Sequence, residues 1–159
     1  MTLAPSRRGV LLGLVMFAGP AAARSCPPPR VLFVCPAGTV KSAIAREYLK
    51  RGAVERGLAL EVQSRGVHPA DHVSPQLAVN LRREGVDPGA EPLRALTPRD
   101  LVGVDIVVAF DEAAQAPGLA GARVWDIPSW NSQFPQAKAA LASRIDALLA
   151  ELSDRGCPG

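Results

Sequence analysis

The sequence predicts one α/β domain, a parallel sheet of four strands with helices wound on both faces. Three observations predict it. Apolar runs of strand length alternate with segments of helical period, the order from which parallel sheets are built. The first run, Val31-Leu32-Phe33-Val34, is continuously apolar, as a strand buried on both faces must be. The 159 residues fit a single core, since domains commonly hold about 100–200 residues.

Residues 1–23 stand apart from that domain. Arg7 and Arg8 precede an uncharged run from Gly9 to Gly19, followed by Pro20 and Ala21-Ala22-Ala23. This is the positive, apolar and small-residue succession of a secretory signal. The apolar run falls well short of the ~20 residues that span a bilayer. We therefore expect export to the periplasm or beyond, cleavage before Arg24 and no stable membrane span. Ser6-Arg7-Arg8-Gly9-Val10-Leu11-Leu12 also resembles a bacterial twin-arginine signal. The alternatives are a plain N-terminal extension on a cytoplasmic protein, or lipid attachment at Cys26, for which Ala23-Arg24-Ser25 is a poor preceding sequence.

Residues 24–30 form a stiff lead-in through Cys26-Pro27-Pro28-Pro29, the domain runs over 31–153, and 154–159 are a tail. After the first strand, Pro36 to Val40 reads as a turn. A helix begins near Ser42, with Ile44, Tyr48, Leu49 and Val54 on its apolar side and Arg46, Glu47, Lys50 and Arg51 on the other. Gly57 ends it. Leu58 to Ser64 reads as the second strand, and Arg65 to Pro69 leads out of it. The next helix runs from Ser74 to Glu84, with Ser74 as N-cap, Pro75 in the first turn and Gly85 as the stop. Asp105–Phe110 and Arg123–Trp125 supply the last two strands, and Pro135–Leu152 the closing helix.

Composition excludes several classes. The net charge is only +3, and loss of the leader would leave the chain near neutral, so nucleic acid is not an expected partner. Hydrophobic and charged fractions of 48% and 21% exclude a wholly disordered chain. Aromatics make only 4%, so the core is expected from Ala, Val, Leu and Ile. Fourteen glycines and 15 prolines imply short elements and many turns. Three cysteines are too few for a disulfide scaffold, and no Cys/His spacing matches a zinc finger. His68, Asp71 and His72 read as a solvated loop, so no metal or other cofactor is expected. Asp111-Glu112 reads as the start of a helix.

The chemistry is expected at Cys35. Ligands of open parallel sheets collect beyond the carboxyl ends of the strands, where helix N-termini favour anions. The run Cys35-Pro36-Ala37-Gly38-Thr39-Val40-Lys41-Ser42 can wrap backbone N–H groups around an oxyanion, with a cation six positions beyond the sulfur and a hydroxyl next to it. The same donors would favour the thiolate of Cys35, a nucleophile able to take a phosphoryl group. The bland readings are an inert buried cysteine, a solvated Lys41 and a Ser42 that only caps the helix. Trp125 and Trp130 either rim the pocket or pack half-buried.

From about Val31 to about Leu152 the chain resembles the low-molecular-weight protein tyrosine phosphatase superfamily, which includes thioredoxin-coupled arsenate reductases. Val31-Leu32-Phe33-Val34-Cys35, five residues, a cation and Ser42 carry most of the likeness. Val62-Gln63-Ser64-Arg65-Gly66-Val67, the strand opening at Asp105 and Val124-Trp125-Asp126-Ile127-Pro128 carry the rest. The resemblance implies a doubly wound, flavodoxin-like four-stranded parallel sheet. It implies a hydrolase of phosphate monoesters, phosphotyrosine being the family substrate, with Cys35 as nucleophile and residues 36–42 holding phosphate.

Three departures stand out. Lys41 replaces the family arginine, a point charge in place of a planar fork. Ala37 and Gly38 stand where the phosphatases have Gly and Asn. Ser129 occupies the place of the family's proton-donating aspartate, leaving Asp126 as the candidate stand-in. The competing expectations are a non-catalytic oxyanion-binding module and an arsenate reductase-like redox enzyme. Cys26 and Cys157, flanking the domain, are either a disulfide or two unpaired thiols.

Overall fold

A computed structural model describes residues 27–155; the leader, Cys26 and Cys157 lie outside the described residues. The continuous apolar run becomes β1 (Arg30–Cys35), whose residues from Val31 onward are all buried. It lies between β2 (Glu61–Gly66) and β3 (Ile106–Phe110), with β4 (Arg123–Trp125) outside β3. The sheet order is β2-β1-β3-β4 and every pairing is parallel. In the β1/β2 register Cys35 stands opposite Gly66.

Alternation along the strands divides the core in two. Val31, Phe33, Ile106, Val108 and Phe110 pack with apolar residues of α1 (Lys41–Glu55), α2 (Pro75–Arg83) and α3 (Phe134–Asp154). Leu32, Val34 and Ala109 form a smaller cluster with Ala113 and Leu119, flanked by Leu101 and Ala114. Two short 3-10 helices, Pro98–Leu101 and Asp111–Gln115, thus contribute to the second cluster, and a third lies at Pro88–Ala90.

Several sequence expectations shift. Val54 is 81% exposed, whereas Arg46 is 1% exposed. At about 100° per residue, Val54 falls opposite the arc of Ile44, Tyr48, Leu49 and Ala53, and Arg46 falls at that arc's edge. The buried guanidinium of Arg46 donates to Glu47 (2.6 Å), the Ser64 hydroxyl (2.8 Å) and the Pro88 carbonyl (3.1 Å). β2 starts at Glu61, not Leu58. Glu61 N–H donates to Pro29 O, and the prolines before Arg30 have no N–H to continue the ladder. Asp105 precedes β3 and latches it to β1, its carboxylate accepting from the Arg30 amide at 2.8 Å.

The helix boundaries of α2 follow the capping signals: Ser74 Oγ accepts from the Leu77 amide, and Gly85 adopts φ +66°. The aromatics among the described residues are concentrated in and around the core, correcting the purely aliphatic expectation. Phe33, Phe110 and Trp125 make one group, and Tyr48, Trp130 and Phe134 another. Among the described residues no helix is long and apolar enough to cross a membrane.

Candidate active site

Cys35 closes the central strand, and its sulfur is held from the loop that follows. The Gly38 amide donates to Sγ at 3.1 Å, and the Ser42 hydroxyl lies 3.1 Å from the same atom. Ser42 Oγ also lies 3.3 Å from the Arg65 carbonyl, to which it can donate. Its single proton therefore has two acceptors, and negative charge on sulfur draws it toward Cys35. Ser42 is fully buried in the first turn of α1. It supports the sulfur; the N-cap of α1 is Val40, with no side-chain cap bond.

The loop is fixed by the segment beyond β2. Val67, His68 and Ala70 amides donate to the carbonyls of Cys35, Pro36 and Ala37 at 3.1, 2.8 and 3.1 Å. In a trans peptide the N–H points opposite to the C=O. The Ala37 and Gly38 amides are therefore turned away from that segment, and the Gly38 amide meets the sulfur. This close lacing needs two glycines. Gly38 has φ +79°, and a Cβ there would come 2.8 Å from Gly66 N; a Cβ on Gly66 would come 2.8 Å from the Ala37 carbonyl carbon. The sequence offers Gly38 in the loop and Gly66 in the run after the first helix, but not that the two backbones meet.

A cavity of about 280 Å³ opens over this loop, lined by Cys35, Pro36, Ala37, Val40, Lys41, His72, Asp111, Ser129, Trp130 and Asn131. A larger cavity of about 640 Å³ touches Gly38, Thr39 and Arg46 but does not include Cys35. Lys41 is not a solvated residue. Its Nζ donates to Asp111 Oδ1 at 2.7 Å and to the Ile127 carbonyl at 2.5 Å, with the side chains 17% and 28% exposed. Asp111 does begin a helical turn, but it also brings a carboxylate into the site and holds the only positive φ (53°) of a non-glycine among the described residues.

A family model, low molecular weight phosphotyrosine protein phosphatase, matches residues 30–149. The chain belongs to that family. Solved structures of similar fold include YfkJ from Bacillus subtilis, 19% identical over 84% of this chain and 99% of that one, with TM-score 0.68. A low molecular weight protein tyrosine phosphatase from T. tengcongensis is 26% identical over 77% of this chain and 99% of its own, with TM-score 0.61. A thioredoxin-dependent arsenate reductase from Corynebacterium glutamicum is 25% identical, covering 80% of this chain and 63% of that chain, with TM-score 0.64. No match was found among curated proteins.

Within this family member the structure separates the residues singled out from sequence. Cys35, Lys41 and Ser129 line one cavity, with Ser42 bonded to the sulfur beneath it. Asp126 does not join them: it is exposed between buried Trp125 and Ile127, on the opposite side of the alternating segment, and it is absent from the cavity wall. Trp130 reaches the wall while 2% exposed, whereas Trp125 belongs to the core. His72 and Asp111 are wall residues that the sequence did not assign. Their partners lie far away along the chain, 70 residues in the Lys41–Asp111 pair.

Proposed function

We propose that the chain hydrolyses phosphate monoesters, with Cys35 as nucleophile and a cysteinyl-phosphate intermediate. The observation that carries this reading is the sulfur itself, at the floor of a cavity and met by the Gly38 amide and the Ser42 hydroxyl, both at 3.1 Å. Both groups can donate to a thiolate at that position. Loop amides turned away from the 67–70 segment, with the N-terminus of α1 behind them, suit the equatorial oxygens of a transferring phosphoryl group. In the first half-reaction the S–P bond forms as the ester P–O bond breaks. In the second, water attacks phosphorus and the electron pair of the S–P bond returns to Cys35. Phosphotyrosine is the substrate named for the family, and an exported protein would meet its substrate outside the cytoplasm.

A second reading, an oxyanion-binding module without turnover, draws support from the Lys41–Asp111 pair, which compensates the pocket's cation with a carboxylate. A third, arsenate reduction, would require a second thiol, and Cys35 is the sole cysteine among the described residues. Purified protein incubated with 2,4-dinitrophenyl phosphate, whose leaving group needs no proton, separates them. The hydrolase reading predicts phosphate release that Cys35→Ser lowers by at least ~10³-fold. Phosphate binding without release would favour the module, and thiol-dependent arsenate reduction the third reading.

A further inference from the structure

We propose that His72 is the proton donor to the leaving oxygen, an inference that rests on the phosphatase reading and assigns a group that reading leaves open. Phenoxide and alkoxide leaving groups depart slowly at neutral pH unless a positioned acid protonates them. The cavity wall holds four groups that can exchange a proton: Cys35 from β1, Lys41 from α1, Asp111 after β3 and His72 from the segment after β2. Cys35 is the nucleophile. Lys41 and Asp111 are engaged with each other at 2.7 Å, and Lys41 also with Ile127 O. Ser129, Asn131 and Trp130 are not acids in the useful range. The imidazole of His72 makes no hydrogen bond or ion pair with a described residue, and imidazole is the side chain most often used as a general acid or base.

The backbone holds His72 at the cavity wall. The His72 amide donates to Thr39 Oγ1 at 3.2 Å, and the same hydroxyl donates to the Ala70 carbonyl at 2.8 Å. The Ala70 amide in turn donates to Ala37 O. His72 is therefore tied to the loop after Cys35 through its own amide and through Ala70, although the residue is exposed. The neighbouring Asp71 carboxylate accepts from the Val73 amide at 3.1 Å, closing the turn that contains His72.

The proton balance closes over the cycle. As the Cys35 thiolate attacks phosphorus and the ester bond breaks, the His72 imidazolium gives its proton to the departing oxygen and becomes neutral. The neutral ring then takes a proton from the attacking water as the S–P bond breaks. Inorganic phosphate leaves, and thiolate and imidazolium are restored.

The test compares kcat/KM on phenyl phosphate and on 2,4-dinitrophenyl phosphate for the wild-type chain and His72→Gln. The expected result is a fall of about 10²-fold in the phenyl-to-dinitrophenyl rate ratio, together with loss of the alkaline limb of the phenyl phosphate pH profile. An unchanged ratio, or an equal loss on both substrates with the pH profile kept, overturns the assignment while leaving the phosphatase reading intact. A wild-type chain that turns over neither substrate overturns both.

Discussion

Cys35 acquires its chemistry from neighbours that the chain supplies locally, whereas the charges around it arrive from a distance. Gly38 and Ser42 follow the sulfur within seven residues, so the run itself offered an oxyanion cradle while leaving open whether Ser42 caps the helix or supports the sulfur. The role of Asp111 could not be read there, because its meeting with Lys41 depends on β3 lying beside β1. Its left-handed backbone costs about 1–3 kcal/mol for an ordinary residue, and Asp and Asn bear that cost best. Asp111→Asn therefore keeps the turn while removing a negative charge from the cavity wall. We expect inorganic phosphate to bind about fivefold more tightly to this variant, equivalent to ~1 kcal/mol of relieved repulsion and freed Lys41 charge. Titration calorimetry checks this, and unchanged affinity would mean that Lys41 does not face the bound anion.

At the scale of elements, period and punctuation were readable where the local rule matched the tertiary one. The apolar run gave β1, and Ser74 with Gly85 gave the limits of α2. The exact extent of β2 depended on pairing: the prolines before Arg30 end the ladder at one side, and the register with Cys35 draws Gly66 into the strand at the other. The short edge strand β4 is joined to α3 by a clasp that no local pattern announces. Arg123 grips Glu151 of α3 with both guanidinium nitrogens, at 2.5 and 2.8 Å. Hydrogen bonding from Arg123, aided by Arg155, holds the Glu151 carboxyl at about 2, well below its ordinary 4.5. A lowered folded value means that the clasp stabilises fully above about pH 4.5 and is lost as pH falls toward 2. Both side chains are about one-third or more exposed, which limits the contribution to under ~1 kcal/mol. Urea unfolding of wild type and Arg123→Gln should differ by that amount near neutral pH and converge in acid. A pH-independent offset would show that packing, not charge, carries the clasp.

Across the whole molecule, a central strand buried on both faces ends at Cys35, and the loop that cups its sulfur is braced by the neighbouring strand's exit. The core fixes where Cys35 stands, since Phe33 two residues earlier packs against Phe110 and Trp125. The sequence made this arrangement legible through its strand and helix order and the spacing from Cys35 to Ser42. It concealed the exposure of Asp126 and the approach of His72, because both follow from how loops far apart in sequence settle over the sheet edge. The central claim is that phosphoryl groups pass through this one sulfur. Rapid acid quenching during turnover of a radiolabelled aryl phosphate, followed by peptide mapping, tests it most directly. The account predicts a phosphoryl group on the peptide containing Cys35 and none in Cys35→Ser; phosphate release with Cys35 unlabelled, or with the label on another residue, would contradict it.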